Sequence, residues 1–172
     1  MKASTLIWLL IFFFTVKCNN TSENKVIKIR PGENELTDLN RYFVQKDRER
    51  IQNYIERKNL PMKESGSGLW YYIRKKGTGN YFSDNDKISI NYVCSLLDGT
   101  ECYNSEKLGP KEFILGKSDI EAGLNEGLRL LKPGGEAIFI LPPFLAYGLV
   151  GDGKSIPSRA TLVYEIKIRE GN

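Results

Sequence analysis

The side chains that could do chemistry here are defined first by one that is missing: the 172 residues contain no histidine. That removes the usual general base, the histidine triads and most zinc constellations together. No metal site is expected. What remains are phenols, thiols and carboxylates. Tyr147 follows Pro142-Pro143, which must leave a strand because proline cannot donate to a ladder, so its hydroxyl sits in a loop and can reach outward. Glu121 stands three residues after Ser118, the spacing of a capping box; its carboxylate either supports the positive pole of a helix or points into a site. Cys94 and Cys102 flank Asp98-Gly99, a hairpin signal. A strict two-residue loop would set Cys94 opposite Tyr103 and turn Cys102 to the other face, against a disulfide. A longer loop or a bulge would change that pairing, so both outcomes stay open.

These groups need a scaffold, and 116–148 supplies its centre. Ile120, Leu124, Leu128 and Leu131 recur at helical steps, giving a short helix with one apolar stripe. Arg129 and Lys132 suit its negative end, and Pro133-Gly134-Gly135 stops it. Residues 137–141 form an unbroken apolar run, which predicts a strand buried on both faces. Before the helix, 69–73, 88–96, 101–103 and 112–115 read as strands, and 160–168 closes the chain with another. Short strands, one short helix and turn residues between them predict an α+β domain whose antiparallel sheet closes over the helix.

At this length one domain plus an extra segment is expected. The excess of 25 Lys and Arg over 21 Asp and Glu is spread among acids, as in Lys46-Asp47-Arg48-Glu49-Arg50, so no nucleic-acid partner is expected. Lys2 precedes an apolar run over 6–16 that is short for a bilayer, the shape of a secretory signal, and Cys18 and a polar stretch follow. Residues 1–17 are read as the signal and 18–60 as a tether with a helical segment. In that segment Leu39, Phe43, Ile51, Tyr54 and Ile55 could share a face over 37–58, and packing on the domain behind is preferred. Residues 64–68, rich in Gly and Ser, read as a linker, and 61–172 as the domain.

The start is similar to a bacterial lipoprotein signal, which implies lipidation at Cys18, although Lys17 is a poor match to the small residue expected. An uncleaved N-terminal anchor or an ordinary signal is the alternative, and either places the body outside the cytoplasm. From about Gly68 to Arg169 the chain resembles an FKBP-type peptidyl-prolyl cis-trans isomerase domain. The resemblance rests on the order of Tyr92, Asp98-Gly99-Thr100, Leu115-Gly116, Gly123-Leu124, Glu126-Gly127-Leu128, Ala146-Tyr147-Gly148, Ile156-Pro157 and Ala160-Thr161-Leu162-Val163-Tyr164. With its lipoprotein-like start it looks most similar to the gliding-motility-associated FKBP-type lipoproteins of Bacteroidetes.

The resemblance implies five or six antiparallel strands wrapped on the helix, with an apolar pocket for a proline ring and no cofactor. Tyr92, Ile120, Leu124, Tyr147, Ile156 and Tyr164 would line the pocket, with Tyr147 and Tyr92 the catalytic candidates and Tyr147 the donor to the substrate carbonyl. Partners would be proline-containing polypeptide clients; the sequence sets no oligomeric state. Three positions depart from the family. Cys102-Tyr103 replaces an aromatic-aspartate pair, removing a carboxylate from the pocket edge, and Glu121 stands where an apolar residue is usual. Leu124 in place of tryptophan is a milder change. The departures leave a rival reading, a proline-peptide-binding or chaperone-like module with weak or no turnover.

Overall fold

The computed structural model describes residues 32–117 and 119–170. Residues 1–31, which include the expected signal and Cys18, lie outside the described residues, as does Ser118. Among the described residues no helix is long and apolar enough to cross a membrane.

Helix α1, Glu33–Lys58, begins a turn earlier than its apolar pattern suggests. The Glu35 carboxylate reaches back to accept the Gly32 N–H at 3.0 Å, so the start is set by a polar cap and not by the stripe. It ends at Asn59, whose left-handed φ of 50° suits asparagine, with Arg57 and Lys58 in the last turn.

Strands β1 (Lys63–Glu64), β2 (Trp70–Lys75), β3 (Lys87–Leu96), β4 (Glu101–Asn104), β5 (Lys111–Ile114), β6 (Glu136–Leu141) and β7 (Leu162–Ile168) make one antiparallel sheet. Its order is β1-β2-β6-β7-β3-β4, with β5 on β3. The Gly- and Ser-rich stretch expected as a linker is instead the turn of the β1–β2 hairpin: Ser65 N–H donates to Leu69 O at 2.8 Å and Gly68 N–H to Ser65 O at 3.1 Å. A single-turn helix α2, Ser105–Leu108, joins β4 to β5 and carries no sequence signal strong enough to have been expected.

Alternation along β6 explains its unbroken apolar run. Ala137, Phe139 and Leu141 face one side, with Leu162, Tyr164, Ile166 and Ile168 of β7 and with Leu124 and Leu128 of helix α3, Ala122–Leu128. Ile138, Ile140 and Val163 face the other, where Ile51, Tyr54 and Ile55 of α1 cover them. Both faces are thus closed by a helix, and the expected packing of α1 holds for its second half, while Leu39 remains 46% exposed. Helix α3 lies close because its glycines permit it: a Cβ on Gly127 would stand 2.7 Å from the Phe139 ring, and one on Gly123 2.7 Å from Leu141.

Candidate active site

Segments far apart in sequence bring the expected site residues together on the α3 side of the sheet. Leu124, Ile156 and Tyr164 are buried in one cluster, and Tyr92, Cys102, Tyr103, Ile120 and Tyr147 pack against it half-buried. β3 supplies Tyr92, β4 Cys102 and Tyr103, α3 Leu124 and β7 Tyr164. Tyr147 follows a 3-10 turn, Pro143–Leu145, that ends the chain's exit from β6. The Tyr92 and Tyr164 rings meet at 6.1 Å between centroids, inclined at 41°. A groove of about 640 Å³ lined by Phe82, Ile88, Phe113, Pro133 and Ile168 contains none of these residues. The candidate site is defined by contacts among these side chains, such as the Tyr92–Tyr164 ring pair, and not by cavity size.

The hairpin bearing Cys102 departs from its expected register. Leu96 N–H donates to Thr100 O at 2.9 Å and Gly99 takes a φ of 94°, so the loop is 97–99 and holds three residues, not two. Cys94 still faces Tyr103, but Ser95 pairs with Glu101, which leaves Cys102 as the extra residue of a bulge. The bulge turns Cys102 into the core cluster, correcting its expected place on the other face. Both thiols are free, and burial pushes that of Cys94 up to about 12.

Glu121 neither caps α3 with its side chain nor lies on the helix surface. It occupies the N-cap position with no side-chain cap hydrogen bond and is 6% exposed. Its Oε1 accepts from the Tyr164 hydroxyl at 2.6 Å, while Lys111 Nζ stands 3.7 Å from Oε2, which makes no hydrogen bond among the described residues. Burial, and then the Glu121 carboxylate, push the Tyr147 and Tyr164 phenols far above their ordinary range, so both keep their protons. The Tyr147 side chain is half-buried against the core cluster, where a loop tip reaching outward was expected.

Tyr103 introduces a second carboxylate, which sequence reading missed. Its hydroxyl donates to Asp152, whose other oxygen accepts the N–H of Ile156 at 2.8 Å and of Lys154 at 2.9 Å. Two carboxylates, Glu121 and Asp152, thus bond to hydroxyls of the candidate site residues. Asp152-Gly153, a turn signal shortly before Ile156-Pro157, was the clue available.

Residues 79–169 match the family model described as FKBP-type peptidyl-prolyl cis-trans isomerase. The FkpA isomerase of Buchnera aphidicola subsp. Baizongia pistaciae is 39% identical over 119 residues, covering 69% of this chain and 45% of that protein. A probable FkpA of Neisseria meningitidis serogroup B is 41% identical over 109 residues, covering 62% and 39%. The chain therefore spans less than half the length of either relative. Among solved structures, the crystal structure of FkpA from Escherichia coli superposes with a TM-score of 0.62 at 28% identity, covering 82% of this chain and 73% of that one.

Proposed function

Since the chain belongs to the FKBP-type peptidyl-prolyl cis-trans isomerases, on its match over 79–169, we propose that it interconverts cis and trans Xaa-Pro bonds in polypeptide clients. The observation that carries this reading is the convergence of Tyr92, Ile120, Leu124, Tyr147, Ile156 and Tyr164 on one face of the sheet. Turning such a bond twists an amide through a state without resonance, over a barrier of about 18–20 kcal/mol. No bond is made or broken. A twisted amide is less polar than a planar one, so an aromatic, water-poor surface favours it over the ground state, and neither acid, base nor metal is required.

In this reading Tyr92 and Tyr164 form the aromatic wall, Leu124 and Ile156 the aliphatic floor, and Cys102, Tyr103 and Ile120 the rim. Tyr147 donates to the carbonyl preceding proline. Glu121 holds the Tyr164 hydroxyl, and this buried carboxylate would compete for that of Tyr147, which favours the second reading, a proline-peptide binder with weak turnover. Residues 61–172 act as the catalytic unit. Export, and tethering through a lipidated Cys18 or an uncleaved N-terminus, belong to the same proposal, supported by the apolar run over 6–16 and the cysteine after it. In this reading the clients are exported or envelope proteins, which the same apolar run over 6–16 supports.

The test is isomerase turnover on short Xaa-Pro peptides beside Tyr147→Phe. An active parent and a loss of about three- to tenfold in kcat/KM for the variant, the worth of one neutral hydrogen bond, support the reading. An inert parent that still binds the peptides selects the binding module.

A further inference from the structure

Helix α1 lies wholly outside the segment that matches the family, yet it reaches the loop that carries part of the site. Arg159 Nη2 donates to Asp47 Oδ2 at 2.9 Å, and its guanidinium lies 4.0 Å from the centroid of the Phe43 ring. Arg159 is also the base of the loop. Its backbone N–H donates to Gly148 O at 3.0 Å, closing the segment that starts beside Tyr147 and contains Asp152 and Ile156. The residue has a φ of 56°, a left-handed conformation that an arginine adopts only when its surroundings hold it there.

Asp47 is the one buried member of an otherwise solvated charge run over 46–50, at 3% exposure. A carboxylate is kept in such a place only with a partner. Apolar residues of similar shape would serve bare stability as well or better, so the pair is better explained by what it fixes in space. The fork of Arg159 is held on two sides, by Asp47 and by the Phe43 ring, both on the same stretch of α1.

We infer that Arg159, gripped by Asp47 and Phe43 of helix α1, is a positioning residue that holds the loop over 148–160 in place for Xaa-Pro isomerisation. The inference rests on the isomerase reading for its effect on turnover. Its effect on loop order does not rest on that reading.

Both are measured on the full chain with Asp47→Asn, Arg159→Gly and the double variant. Asp47→Asn keeps the shape of the side chain, and glycine at 159 relieves the left-handed strain, so the variants retain the fold. Hydrogen exchange of the amides over 148–160 is expected to quicken about tenfold in each single variant, with no further change in the double, while β6 and α3 stay protected. kcat/KM on an Xaa-Pro peptide is expected to fall about tenfold in the same non-additive pattern. Unchanged loop exchange in both single variants overturns the inference, as does loosened exchange with kcat/KM intact. A parent without turnover refutes the isomerase reading, and exchange then decides whether the grip exists.

Discussion

The two faces of the sheet are closed by the same physics but finished differently. On the α1 face the buried set is wholly aliphatic, Ile51, Ile138, Ile140 and Val163, and the buried acid at its margin, Asp47, meets a full opposite charge at 2.9 Å. On the α3 face the buried set includes Tyr164 and Cys94, and its buried acid, Glu121, is answered by a neutral hydroxyl, with Lys111 3.7 Å away. The charged pair fixes one geometry. Burial pushes the Asp47 carboxyl above its ordinary value, while Arg159 and Arg50 act against that rise. The hydroxyl cluster can rearrange when a substrate carbonyl arrives, because each phenol both donates and accepts. In the proposed reading, the face that holds uses charge complementarity, and the face that would receive a peptide keeps exchangeable hydroxyls.

The most drastic way to break this comparison is to empty each face equally. Leu124→Ala and Ile140→Ala remove fully buried side chains on opposite sides, and each is expected to cost about 2–5 kcal/mol in denaturant unfolding. Only Leu124→Ala should also raise KM for an Xaa-Pro peptide. Equal kinetic damage from both would mean that the α3 face has no special part in binding.

A finer cut goes through the Glu121 cluster. Tyr164→Phe leaves a buried carboxylate without its hydroxyl donor and is expected to destabilise by about 1–3 kcal/mol. Glu121→Gln keeps an acceptor for Tyr164 and should change stability by less than about 1 kcal/mol, while weakening the competition for the Tyr147 hydroxyl and raising kcat/KM a few-fold. A fall in kcat/KM for Glu121→Gln would show that the carboxylate assists Tyr147 instead of competing with it.

The smallest effect is expected from acid. Desolvation pushes the Asp152 carboxyl up, but the Tyr103 hydroxyl and the amides of Ile156 and Lys154 together outweigh it and hold the group below its ordinary 3.8. A depressed folded-state pKa gives stabilisation that is complete above the unfolded value and lost as pH falls through the lower folded one. Acidifying below about 3.8 should therefore loosen the loop over 148–160, read by hydrogen exchange, and Tyr103→Phe should shrink that dependence. A loop equally ordered through this range would show that Asp152 contributes nothing to it.

Much of this was legible in the chain itself. The four-residue step from Leu124 to Leu128 gave the short helix, although it ends there, with Arg129 as its C-cap, and not at Leu131 and Pro133-Gly134-Gly135 as the stripe suggested; the unbroken run in β6 announced a strand covered on both sides. The order of Tyr92, Leu124, Tyr147, Ile156 and Tyr164 gave the family and the positions that the fold gathers. Local periodicity and turn chemistry determine such features, since both are properties of neighbouring residues. Three features were decided only in the tertiary structure. Glu121 reads as a helix cap and turns inward because the Tyr164 hydroxyl, 43 residues on, is its partner. The bulge at Cys102 depends on how β4 must fit β3 when Gly99 takes three residues to turn. Asp47 looks like one of five charges on a solvated face until Arg159, 112 residues away, comes to bury it. Each is a polar group whose energy depends on which donor it meets across the fold, and spacing along the chain carries no record of that meeting.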